Sequence, residues 1–170
     1  MLRKLIITST ALALTALPAI AENFTATSTI DKAVIVTNED GSTTTTFVKA
    51  DRVLPGDKLF YKITYENSAE DAVDDVSLVM KVPAEVTFSE NSARYSIGAE
   101  KQTSLTESGV SVTFSTDGGV SFAPRGDLKV SVAGQDRSAV SEDITTVRFI
   151  FEEPIPSGAA GSVSFSAIVR

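Results

Sequence analysis

A chain of 170 residues that carries 22 acidic and 15 basic side chains but no cysteine, histidine or tryptophan is constrained before any element is placed. Its net charge of −7 argues against nucleic acid and anionic membrane surfaces as partners. The missing His and Cys exclude every histidine triad, every cysteine nucleophile and the usual ligands of zinc, copper, haem and iron–sulfur clusters, which leaves a hard, oxygen-liking ion such as calcium as the metal that the composition permits.

The first element is N-terminal. Arg3 and Lys4 precede an apolar and small-residue run to Leu17, followed by Pro18 and the small-x-small sequence Ala19-Ile20-Ala21. This predicts a secretory signal peptide over residues 1–21, helical in its apolar part and cut after Ala21. The run is short for a bilayer span, and an acidic, polar segment follows it at once. The mature chain, residues 22–170, is therefore expected to be exported, periplasmic or extracellular, with no membrane span after cleavage. Losing Arg3 and Lys4 takes its net charge from −7 to −9, two positive charges fewer. The length suits a single domain that buries roughly 70% of its unfolded surface. With no disulfide available, the apolar core alone must hold it.

From Thr29 onward the apolar residues recur at period two, in short runs cut by Gly, Pro, Asn and Asp. Ile30 to Val36 reads as a strand, Asn38-Glu39-Asp40-Gly41 as a reversal, and the Thr43 to Thr46 run with Phe47 and Val48 as a weaker, exposed strand. Pro55-Gly56-Asp57 should turn the chain sharply. After it, Leu59, Tyr61, Ile63 and Tyr65 face a core while Lys62, Thr64 and Glu66 face solvent. Val76, Leu78, Met80 and Val82 repeat the pattern until Pro83 ends it. Short pieces follow near Val86 to Phe88 and Arg94 to Ile97, then a strand with Val110, Val112 and Phe114. In Ser115 to Phe122 a hairpin is expected, with Asp117 accepting from backbone amides and Phe122 packing beneath. Leu128, Val130 and Val132 form the next core-facing strand, then Val147, Phe149 and Phe151. Pro154, Pro156 and Gly158 separate these from Val163, Phe165, Ala167 and Val169. No segment after the leader shows a helical period. The expected fold is therefore all-β, a Greek-key β-sandwich of about 7–9 strands behind the signal-peptide helix.

Candidate chemistry is sparse. Glu66, Glu70, Asp71, Asp74 and Asp75 form the densest carboxylate cluster, where paired acids for glycoside hydrolysis or a calcium site are conceivable beside the plain reading of a solvated loop. Asp71, Asp74 and Asp75 are the first-choice calcium ligands, although their spacing is not that of an EF-hand. No Ser-x-x-Lys pair, dinucleotide fingerprint or phosphate-binding loop occurs, so no catalytic residue and no organic cofactor are assigned. Tyr95 and Phe122 are the aromatics expected near loop edges, where a glycan platform would need them.

The order of several motifs resembles a bacterial surface family, the conserved-repeat domain of unknown function eleven. They are Val53-Leu54-Pro55-Gly56-Asp57 with the strand Leu59 to Tyr65 and Asn67, Asp74 to Pro83, Ser115-Thr116-Asp117-Gly118-Gly119, and Pro156-Ser157-Gly158 with Gly161 to Val169. The similar part spans residues 51–170. The resemblance implies an immunoglobulin-like sandwich and a surface role, and it carries no catalytic residues. The chain departs from the family pattern in holding one copy, in Phe149 where tryptophan is frequent, and in Ser68-Ala69 after the asparagine.

These readings converge on a noncatalytic cell-envelope or surface module with a structural or protein-interaction role. The alternative is a calcium- or glycan-binding module that uses loops at one end of the sandwich. Self-association through an unpaired edge strand is a third expectation, with the final strand before Arg170 as the suspected edge.

Overall fold

Alternating side chains become antiparallel pairing throughout the computed structural model, which describes residues 23–98, 101–103, 105 and 109–170. The expected signal peptide lies outside these residues. Twelve strands are present among them: β1 (Phe24–Thr37), β2 (Thr43–Lys49), β3 (Lys58–Asn67), β4 (Ser77–Lys81), β5 (Val86–Phe88), β6 (Arg94–Ile97), β7 (Lys101–Thr103), β8 (Val110–Ser115), β9 (Lys129–Val132), β10 (Gln135–Ser138), β11 (Thr146–Phe151) and β12 (Ala160–Val169). The larger sheet has the order β2-β1-β3-β12-β6-β7, with β5 also paired to β12, and the smaller has the order β4-β11-β8. The chain is thus an all-β, antiparallel Greek-key sandwich in which sequence neighbours such as β3 and β4, or β11 and β12, are divided between the sheets. Among the described residues no helix is long and apolar enough to cross a membrane.

The core lies where the inward-facing sets meet. Leu59, Tyr61, Ile63 and Tyr65 of β3 and Val163, Phe165 and Ala167 of β12 are buried against Leu78 and Met80 of β4 and Val147, Phe149 and Phe151 of β11. Aromatic rings cross between the sheets: Tyr65 meets Phe151 edge-on at 5.1 Å and Phe88 meets Phe114 at 5.3 Å. Edge-to-face contacts of this kind add about 1 kcal/mol each beyond burial. Tyr61 and Phe165 stack within one sheet at 4.9 Å.

The turns take the forms their residues dictate. Asn38 to Ser42 closes the β1–β2 hairpin, with Gly41 at φ 81° and the Asp40 carboxylate accepting from the Ser42 amide and hydroxyl. In the Leu54–Asp57 turn, Gly56 holds φ 89° behind Pro55, as a type II turn requires. The Asp57 amide donates to the Leu54 carbonyl at 3.0 Å, and the Leu54 amide donates back to the Asp57 carboxylate at 2.7 Å.

Two expectations are corrected. The stretch Leu128, Val130, Val132 is not a core strand of the sandwich. Ala133 and Gly134 both take positive φ, 52° and 80°, and make a tight reversal that pairs β9 with β10 as a separate hairpin. Only its root is buried, at Leu128 and Ala139, and Val132 is 53% exposed. The final strand is also not an edge, since β12 lies between β3 on one side and β5 and β6 on the other. The Ser92 hydroxyl fills the gap between those two short strands, donating to the Ser89 carbonyl and accepting from the Ser166 amide.

Candidate interaction surface

The β1–β2 ribbon gathers five exposed apolar side chains on two paired strands, whereas others, such as Leu54, Ile97 and Val120, are scattered over the rest of the surface. Strand β1 pairs with β3 from Phe24 to Lys32 and with β2 from Asp31 to Thr37, so Ala33 to Thr37 and their β2 partners Thr43 to Phe47 continue past β3 as a two-stranded arm, with Val48 and Lys49 at its root. All seven residues of β2 are exposed. A ribbon two strands wide has no layer to bury against on either face. Phe47 (54% exposed) and Ile35 (75%) lie on the outer face, while Ile30, Val36 and Val48 are exposed on the opposite one. The root of the arm is pinned by the Lys32 ammonium on the Asp57 carboxylate at 2.7 Å, the leading cause of that carboxyl's lowered pKa, and by the Ala50 amide donating to the Ile30 carbonyl.

From the arm a groove of about 820 Å³ runs across the outer face of the large sheet. Phe47 and Phe60, in edge contact at 4.6 Å, wall it on the arm side, with the Lys58 ammonium 5.4 Å from the Phe60 ring centre. Its floor is Lys62, Thr64, Ser162 and Ser164. Small hydroxyl side chains on adjacent strands leave this face flat, and one aromatic pair gives it an apolar rim.

The predicted site residues lie elsewhere. Asp71, Asp74 and Asp75 are all exposed, in the β3–β4 connection. The Asp74 carboxylate accepts from the Asp75 amide, and Asp75 sits at φ 54°. Among the described residues no three His, Cys, Asp or Glu side chains converge as a metal-ligand set. The loop is organised instead by Asn67, which is fully buried. Its Nδ2 donates to the carbonyls of Asp71 (3.0 Å), Ile155 (2.9 Å) and Pro156 (3.1 Å), and its Oδ1 accepts from the Ala69 amide at 3.0 Å. Tyr95 is not at a loop edge: it is buried on β6, its hydroxyl 3.1 Å from that of Tyr65. Burial, then this hydrogen bond, pushes the Tyr65 hydroxyl well above its ordinary pKa, so it stays neutral. Phe122 is half-buried and covered by the Arg148 guanidinium, 4.0 Å from its ring centre, which removes it as a glycan platform.

Against known proteins, no family model, curated protein or solved structure matches the chain.

The Asp117 hairpin forms as its residues predict. The carboxylate accepts from the hydroxyls of Ser115 and Ser121, both at 2.6 Å, and from the amides of Val120 and Ser121 at 3.0 to 3.1 Å. The Ser115 hydrogen bond is the largest of the causes that hold this carboxyl far below its ordinary 3.8. A depressed folded-state pKa contributes stability that is complete above the unfolded value and is lost as pH falls towards the folded one. Asp117→Ala is therefore expected to melt several degrees below the parent at neutral pH, with the gap closing as pH drops below about 4. A gap that stays constant down to acid denaturation would show that the carboxylate does not hold this turn.

Sequence reading found the hairpin and the acidic loop but missed the arm as a surface. The exposed Thr run was its only trace, and the projection of β1 and β2 beyond the start of β3 depends on pairing with residues far along the chain.

Proposed function

We propose that this chain is a noncatalytic, exported module of the cell envelope with a structural or protein-interaction role, and that the β1–β2 arm is its working surface. The observation that carries the reading is an arm with large apolar side chains exposed on both faces beside an open groove. Contiguous exposed apolar area of this kind marks association sites. Export rests on the sequence of residues 1–21. Kinship with the surface-repeat family is part of the proposal. It is supported by the turn at Pro55 and Gly56, by the burial of Asn67 and by the ordered Ser115 to Ser121 hairpin, since each motif behind the resemblance has a structural task here. The absence of His and Cys from the sequence supports the noncatalytic part.

The test is expression with the N-terminal segment intact, followed by fractionation and cross-linking in cells. The expected result is a chain beginning at Glu22, recovered outside the cytoplasm in cross-linked species that Ile35→Lys with Phe47→Lys abolishes while lowering the melting temperature by only a few degrees, as loss of the Phe47–Phe60 contact predicts. Retention in the cytoplasm unprocessed, or cross-linking indifferent to the arm, would overturn it.

A further inference from the structure

The outer edge of β2 has no strand beside it among the described residues. It runs Thr43-Thr44-Thr45-Thr46-Phe47-Val48-Lys49, five β-branched residues and one aromatic with a single charge at the end. Natural edges are usually blunted by inward charges, bulges, proline or short length, and β2 carries none of these along its first six residues. Its backbone donors and acceptors on that side are a template for another strand.

Charge placement selects the occupant. The tip of the arm carries Glu39 and Asp40, and its base carries Lys49 and Arg52, with Asp51 held by Lys49 at 3.2 Å. If a second β2 is laid alongside in parallel, acidic tip meets acidic tip and Lys49 meets Lys49, a like-charge arrangement that opposes pairing. Laid antiparallel and centred on Thr46, Thr45 meets Phe47, Lys49 meets Thr43, and the base with Arg52 lies beside the Asp40 tip of the other copy. The same register keeps like faces together, because opposed residues differ by an even number. The outer apolar residues Ile35, Phe47 and Phe60 of the two copies then lie on one face, and each β2 gains strand neighbours on both sides.

We propose that a second copy of this chain docks antiparallel on β2 about a twofold axis at Thr46, giving a dimer with one continuous large sheet. This rests on the arm being the interaction surface and adds the identity of the partner. Closed twofold pairing consumes the edge, so assembly stops at two chains.

The chain contains no cysteine, so one introduced thiol reports the register without background. Thr46→Cys places two thiols on the axis, and it should give a disulfide dimer under mild oxidation. Thr44→Cys puts them four positions apart, roughly 13 Å along the strands and beyond disulfide reach, so it should stay monomeric. Sedimentation equilibrium of the processed chain should show a concentration-dependent doubling of mass, and Thr46→Lys, an exposed substitution that sets two ammonium groups face to face, should leave a monomer with unchanged melting. A processed wild-type chain that stays monomeric throughout, a dimer indifferent to Thr46→Lys, or equal cross-linking at both thiol positions would overturn the proposal. If the chain is monomeric while arm-dependent cross-links to other proteins persist in cells, the dimer fails and the interaction role stands. Loss of both removes the arm as a surface.

Discussion

Asn67→Ala is expected to cost about 3 to 4 kcal/mol, roughly a 10 °C fall in melting temperature for a domain of this size. The side chain is fully buried and shares its two amide hydrogens among the carbonyls of Asp71, Ile155 and Pro156, so one residue ties the end of β3 to its own following loop and to the β11–β12 connection. Backbone bonds reinforce the same junction, from the Asn67 amide to the Ala159 carbonyl and from the Gly158 amide to the Asn67 carbonyl. Truncation leaves the Asp71 carbonyl and the Ala69 amide without these partners and removes a second donor from the Ile155 and Pro156 carbonyls, which still accept from the Val73 and Ala159 amides. Polar groups unpaired at a buried site cost more than the mean value of a hydrogen bond. Asn67→Asp tests the chemistry apart from the shape. It keeps Oδ1 for the Ala69 amide but turns the donor into an acceptor facing carbonyl oxygens, so at neutral pH it should lose at least as much as alanine. Chemical denaturation that finds less than about 1 kcal/mol for both variants would show that these bonds are replaced by solvent.

Gly161→Ala is the second large effect, expected at about 3 kcal/mol although it adds a single methyl group. A Cβ on Gly161 would sit 2.5 Å from the Tyr65 hydroxyl oxygen, 2.8 Å from Cζ of that ring and 2.6 Å from the Ser96 backbone carbonyl. Neither neighbour can yield easily. Ser96 belongs to β6, paired to β12, and the Tyr65 ring is held by Phe24 at 6.1 Å, by Phe151 at 5.1 Å and by the Tyr95 hydroxyl. The glycine thus provides the slot in which an aromatic ring crosses the neighbouring strand. A double-mutant cycle decides the cause: in a Tyr65→Val background most of the ring clash is gone, so Gly161→Ala should cost clearly less there than in the parent. Equal costs in the two backgrounds would place the strain on β6 instead.

These two residues differ in how far the sequence revealed them. Asn67 was visible as a motif residue after a strong strand, but its partners Ile155 and Pro156 are 88 and 89 positions away. Gly161 read as the start of a strand and nothing more, because its purpose lies in a ring on β3. Tyr95 and Phe122 show the same limit. Each was placed near a loop edge by its flanking residues, and each is covered by a residue from elsewhere in the chain, Tyr65 in one case and Arg148 in the other.

What the sequence by itself determined was local and periodic: that the described chain is strands, which residues of β3, β4, β11 and β12 face inward, and where Gly41, Gly56 and the Asp117 hairpin reverse it. Period two sets which side chains share a face, and turn chemistry sets the reversals, without reference to any distant residue. The tertiary structure alone decided which strands are neighbours. It put β12 in the middle of its sheet, expelled β9 and β10 as a hairpin, and carried β1 and β2 beyond the first residues of β3. Pairing joins residues far apart in the chain, and alternation is identical whether a strand lies at the centre or the edge of a sheet. The free edge of β2, on which the proposed interaction depends, is a property of the assembled sheet.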